Sequence, residues 1–122
     1  MTTRPTVLLC DDSRALRMLA ASQLEDAGFQ VVGEAGNGNE AVGQYQALKP
    51  DLVLLDLVMP ECDGRTALAR ILAGDPQARV VILSSLGAQN DIEACLKLGA
   101  RSYLQKPIDP DAMQRVLRDV LA

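Results

Sequence analysis

The segment Leu52-Val53-Leu54-Leu55-Asp56 sets four consecutive apolar residues in front of an acid. A strand with one face in water alternates apolar and polar residues, whereas a strand covered on both faces reads as a continuous apolar run. Val7-Leu8-Leu9-Cys10 and Val80-Val81-Ile82-Leu83 repeat the pattern, and polar residues follow each of them. Three such strands predict a parallel sheet sandwiched between helices.

The intervening segments carry the helices. Leu16, Leu19, Ala20, Leu24 and Ala27 recur at offsets of three and four, the spacing of one apolar helix face, and Gly28 ends that helix. A strand from Gln30 to Ala35 and a helix over about 38–48 follow, the latter apolar at Ala41, Tyr45 and Leu48 and stopped before Pro50. A third helix is predicted over about 65–73, before Gly74-Asp75-Pro76, and a fourth over about 91–98, before Gly99. The last strand is Ser102 to Gln105. The final helix opens with Asp109 as N-cap and Pro110 in first position, and its apolar face is Met113, Val116, Leu117, Val120 and Leu121. Five strands alternating with five helices through short connections require right-handed crossovers, so the fold class is α/β, doubly wound.

The chain has 122 residues, which sets the expectation of one domain over 1–122. With 48% hydrophobic and 23% charged residues, its composition is that of a globular protein. The start Met-Thr-Thr-Arg-Pro lacks the apolar region of a signal peptide, and no apolar run approaches the roughly 20 residues that span a bilayer. A cytoplasmic location without membrane partners is expected. The net charge of -4, with only two Tyr and one Phe, argues against direct nucleic-acid binding. Cys10, Cys62 and Cys95 lack metal-site spacing and are expected as reduced packing residues. The absence of histidine removes Ser-His-Asp and Cys-His catalysis and leaves carboxylates, hydroxyls and lysines to carry any chemistry.

Ligands of open parallel sheets bind outside the carboxyl ends of the strands. Asp11 and Asp12 follow the first strand, Asp56 ends the third, Ser84 and Ser85 end the fourth, and Lys106 follows the fifth. Taken singly, each has a plainer reading: Asp12 or Ser13 as a helix cap, Asp56 as a solvated loop acid, Ser84 as a backbone partner, Lys106 as a surface charge. Together they are harder to dismiss. Three converging carboxylates repel, and partial burial raises the cost unless counter-charge arrives. One ammonium and one divalent cation balance three carboxylates, and an all-oxygen donor set suits Mg²⁺, with Mn²⁺ able to substitute. With such an ion beside it, a carboxylate can attack phosphorus, while Ser84 and Lys106 neutralise the phosphoryl oxygens.

At these spacings Asp11-Asp12, Asp56-Leu57-Val58-Met59-Pro60, Asp63-Gly64, Ser84 and Lys106-Pro107 resemble the receiver domains of two-component response regulators, especially the single-domain chemotaxis type. The likeness runs from Val7 to Leu121. It implies a flavodoxin-like five-stranded sheet of order 2-1-3-4-5 and a phosphorylation switch that catalyses only its own phosphorylation and dephosphorylation. Asp56 is then the phosphoacceptor, Asp12 a direct Mg²⁺ ligand, Asp11 an assistant often acting through water, and the Val58 backbone carbonyl a further ligand. The resemblance also implies a cis peptide bond before Pro107, with Tyr103 as a switch aromatic that turns inward when Ser84 moves toward phosphate. The implied partners are a sensor histidine kinase or histidine phosphotransfer protein, and a downstream target on the face of the fourth helix, fifth strand and fifth helix. The chain itself is expected as a monomer or weak dimer, with no output segment after Ala122.

Two positions that vary in this family, Val58 and Leu86, are apolar here and cannot orient a hydrolytic water, which points toward slow intrinsic loss of phosphate. Ser84 keeps the hydroxyl of the commoner Thr and drops its methyl. Two rivals fit less well. A phosphatase of the haloacid-dehalogenase type needs a general acid two residues after Asp56, where Val58 stands. A flavin-binding module would meet repulsion between its phosphate and Asp11 and Asp12, with few aromatic rings to hold the flavin.

Overall fold

The computed structural model describes residues 4–59, 62–85 and 88–122. Strands and helices alternate throughout: β1 (Thr6–Cys10), α1 (Arg14–Asp26), β2 (Gln30–Ala35), α2 (Gly38–Leu48), β3 (Leu52–Asp56), α3 (Gly64–Gly74), β4 (Val80–Ser84), α4 (Gln89–Leu98), β5 (Ser102–Gln105) and α5 (Pro110–Leu121). The strands form one parallel sheet in the order β2-β1-β3-β4-β5. This is the flavodoxin-like order that the resemblance to receiver domains implies.

The continuous apolar runs have the predicted cause. Alternate residues of β1, β3 and β4 point to opposite faces, and both faces are covered. Leu8, Cys10, Val53, Leu55, Val80 and Ile82 pack with α2, α3 and α4 side chains such as Tyr45, Leu68 and Cys95. Val7, Leu9, Leu52, Leu54, Val81 and Leu83 pack with Leu24 of α1 and Met113 and Leu117 of α5. Every residue of β3 and β4 is buried. A strand held on both faces and along both edges has no alternative register that keeps its side chains dry, so its last residue is fixed in space.

Local signals set the helix starts. Ser13, Asn37, Asp63 and Asp109 are N-caps whose side chains accept the backbone N–H of Leu16, Glu40, Thr66 and Ala112. Gly28 lies at φ 93° just past α1, a conformation that favours glycine.

Three expectations are corrected. Leu16 and Leu19 belong to the exposed surface of α1, at 43% and 56% exposure, while Ala20 and Leu24 face the core. Helix α3 begins at Gly64 because Asp63 caps it, and α4 begins at Gln89, ahead of the expected Asp91. The three cysteines are free and buried, as expected of packing residues, and burial pushes the thiols of Cys10 and Cys95 up. Among the described residues no helix is long and apolar enough to cross a membrane.

Leu54 is fully buried in the central strand. Leu54→Ala is expected to lower the unfolding free energy by about 2–5 kcal/mol, by lost transfer energy and a residual cavity. Equilibrium urea unfolding checks this value.

Candidate functional site

Four strand ends meet at the carboxyl edge of the sheet. The β1 ladder runs one residue past its end, since Asp11 donates its backbone N–H to Ala35 O at 3.0 Å. Asp11 is thereby held at 3% exposure, while Asp12 beside it is exposed. Asp56 closes β3 opposite Leu83, at 6% exposure. Ser84 closes β4 opposite Gln105, and the Lys106 N–H donates to Ser84 O at 2.7 Å. The edge therefore aims Lys106 back over the neighbouring strands, and the Lys106–Pro107 peptide bond is cis.

The Lys106 ammonium lies 2.7 Å from Asp11 Oδ2 and 3.0 Å from Asp56 Oδ2. The other oxygen of each carboxylate is also engaged. Asp11 Oδ1 accepts the Ser13 N–H at 2.9 Å, and Asp56 Oδ1 accepts the Val58 N–H at 3.3 Å. Burial pushes the Asp56 carboxyl upward, and it outweighs the hydrogen bond and charge of Lys106 and the Val58 N–H, which act downward; the nearby Asp11 charge adds to the rise. Burial acts to lower Lys106, but its hydrogen bonds to Asp11 and Asp56 and their charges win, so its net shift is upward. The ammonium stays charged and the pocket stays short of positive charge.

Carboxylate oxygens of Asp11, Asp12 and Asp56 lie within 4.8 Å of one another. This is a set of hard oxygen donors without nitrogen or sulfur, which fits a divalent ion of the Mg²⁺ type and not one that prefers thiolate or imidazole. Close by in the ladder, the Ser84 hydroxyl is buried without a hydrogen-bond partner among the described residues. An unmade bond of this kind costs about 1–3 kcal/mol, and such a group deserves a functional explanation. Ser85, the neighbour that could have exchanged places with it, is exposed.

A model of the response regulator receiver domain family matches residues 7–118. The chain belongs to that family. This receiver domain is 41% identical to chemotaxis protein CheY of Listeria monocytogenes over 111 residues, 91% of this chain and 93% of that protein. It is 48% identical over 104 residues to a protein-glutamate methylesterase/protein-glutamine glutaminase of Archaeoglobus fulgidus, a match spanning 83% of this chain and 29% of the relative. A CheX-CheY-BeF3-Mg²⁺ complex from Borrelia burgdorferi contains a chain with a TM-score of 0.91 and 33% identity, covering 96% of this receiver domain and 89% of that chain. The protein is accordingly a phosphorylation-dependent response regulator of two-component signalling, of the type found in chemotaxis proteins.

The fold brings Asp11, Asp12, Asp56, Ser84 and Lys106 of this receiver domain to one edge. Val58 stands at the rim, 73% exposed, and Tyr103 on β5 is 47% exposed, pairing in register with Ile82. Pro60 and Leu86 lie outside the described residues. Gly64 contributes by having no side chain, because a Cβ there would collide with the Asp56 carbonyl oxygen and the Leu57 Cα. Sequence reasoning missed Arg17, whose guanidinium donates to the backbone carbonyl of Asp11. A cation in the first turn of α1, shortly after two acids, was the available signal.

The pH dependence follows from the sign of the Asp56 shift. Between the ordinary carboxyl value and the raised folded one, the folded state keeps a proton that the unfolded state has released, so stability falls as pH rises through that window. Above it the full cost of the buried charge remains. Asp56→Asn is therefore expected to unfold at a higher urea concentration than wild type at pH 7 in a chelator, with the gap closing on acidification below the ordinary carboxyl range.

Proposed function

We propose that the protein accepts a phosphoryl group on Asp56 from a phosphohistidine donor, either a sensor histidine kinase or a histidine phosphotransfer protein. The observation that carries this reading is the single Lys106 ammonium shared by two buried carboxylates, beside a buried Ser84 hydroxyl lacking a partner. In the transfer, an Asp56 oxygen forms the bond to phosphorus as the phosphorus–nitrogen bond of the donor breaks and its electron pair returns to the imidazole. Asp11, Asp12, Asp56 and the Val58 backbone carbonyl would hold Mg²⁺, or Mn²⁺ in its place. The bound ion supplies charge that screens the repulsion between carboxylate and phosphoryl oxygens. Lys106 pairs with one phosphoryl oxygen, and the Ser84 hydroxyl donates to another.

The domain's own catalysis is limited to this transfer and the later hydrolysis. Val58, exposed at the rim, has no group that could orient an attacking water, which favours slow loss of phosphate. The CheX-CheY-BeF3-Mg²⁺ complex, whose matching chain is 33% identical, supports Mg²⁺ as the ion for this domain. Phosphorylation then shifts the resting equilibrium of the α4-β5-α5 face toward a form that a downstream protein binds. Such a shift requires stronger contacts to phosphate in the active form. Ser84, drawn toward phosphate, leaves space for Tyr103, which is nearly half exposed in the resting arrangement. The protein works in the cytoplasm as a monomer or weak dimer.

Incubation with acetyl phosphate and Mg²⁺ is expected to add one phosphoryl mass to the wild type and none to Asp56→Asn, by intact mass, and hydroxylamine should remove it. Equal labelling of the variant contradicts the assignment. Beryllofluoride with Mg²⁺ is expected to move amide resonances from Asp91 to Lys106 as well as those of the acidic loops. Changes confined to the loops around Asp11, Asp12 and Asp56 contradict propagation to the output face.

A further inference from the structure

Arg17 is a costly residue in its place. It lies in the first turns of α1, its own N–H bonded to Ser13 O at 2.9 Å, at the helix end where the dipole disfavours a cation. Its side chain is only 18% exposed, so the guanidinium has given up much of its hydration. The donors are spent in two directions. Nη1 donates to the Asp11 backbone carbonyl, and Nε donates to Glu34 Oε1 at 3.2 Å, at the end of β2. The same Nη1 lies against the β2–α2 turn, where a Cβ on Gly36 would sit 3.3 Å from it.

With this contact, each polar group of Asp11 has a partner. Its N–H donates to Ala35 O, its carbonyl accepts from Arg17, Oδ1 accepts from Ser13 and Oδ2 pairs with Lys106. Asp12 is exposed and is attached through the peptide plane whose carbonyl Arg17 grips. We infer that Arg17 is a positioning residue that fixes the Asp11–Asp12 peptide and so sets the Asp12 carboxylate toward the divalent metal. A planar fork reaches two acceptors in different directions, which a lysine ammonium does not reproduce. This inference rests on the metal reading of Asp11, Asp12 and Asp56 proposed above.

Charge and positioning make opposite predictions. A nearby cation repels Mg²⁺, so on charge alone removing Arg17 strengthens metal binding. Removing a group that orients a ligand weakens it, typically by about 10–100-fold. The test is Mg²⁺ titration followed by NMR, on wild type, Arg17→Met, Arg17→Lys and Asp12→Ala, together with amide exchange of Ser13 in the metal-free proteins. Arg17→Met is expected to bind Mg²⁺ about tenfold more weakly, with faster Ser13 exchange. Binding equal to or tighter than wild type overturns the inference. If Arg17→Met is unfolded by circular dichroism, Arg17→Lys decides: the charge is kept, weaker binding supports positioning, and wild-type affinity overturns it. Asp12→Ala separates the two layers. Unchanged affinity there overturns the metal reading and this inference with it, whereas lost affinity there with none lost in the Arg17 variants overturns this inference alone.

Discussion

The Lys106 ammonium, 2.7 Å from Asp11 and 3.0 Å from Asp56, is the counter-charge on which the carboxyl edge of the sheet depends. Two nearly buried carboxylates with a third acid beside them repel strongly where water is excluded, and one ammonium offsets only part of that repulsion. Burial raises the Asp56 carboxyl against the attraction of Lys106, and the Asp11 charge adds to the rise. A pocket in this condition favours whatever brings positive charge together with oxygen acceptors for Ser84 and Lys106. Under the proposed function, a divalent ion and a phosphoryl group would do so jointly, and the repulsion at rest would become affinity for them.

The scaffold that holds this tension is apolar and ordinary. The residues that make β1, β3 and β4 stable are buried on two faces, and the polar chemistry begins where the runs stop. Stability and function thus occupy successive positions of the same strands. The last ladder bonds, Asp11 N–H to Ala35 O and Lys106 N–H to Ser84 O, carry the order of the core one residue into the site. Gly64 adds a constraint of space: α3 can approach the Asp56 backbone only because no Cβ stands between them.

Much of this was legible in the sequence because it depends on local patterns. Continuous apolar runs mark doubly covered strands, and the acids, serine and lysine at their ends fall at one edge whatever the helices do. The sequence pattern gave less where a residue's role depends on what packs across from it. Leu16 and Leu19 have helical spacing with Ala20 and Leu24, yet only the latter two face the sheet, since periodicity marks a stripe without saying how wide its covered part is. The start of α4 escaped because Ala88 has no side chain able to mark a cap. Arg17 escaped for a related reason: its partners are a backbone carbonyl, which no sequence displays, and Glu34, which folding brings from the next strand.

The central question for the molecule is which oxygen receives the phosphoryl group. Borohydride reduces an acyl phosphate to the alcohol, so protein treated with acetyl phosphate and Mg²⁺ and then reduced should carry homoserine in place of the phosphorylated aspartate. Peptide mass spectrometry locates it. Conversion is expected at position 56, with none at 11 or 12 and none without Mg²⁺. Conversion at Asp11 or Asp12, or phosphate that survives reduction on a serine or threonine hydroxyl, would contradict it.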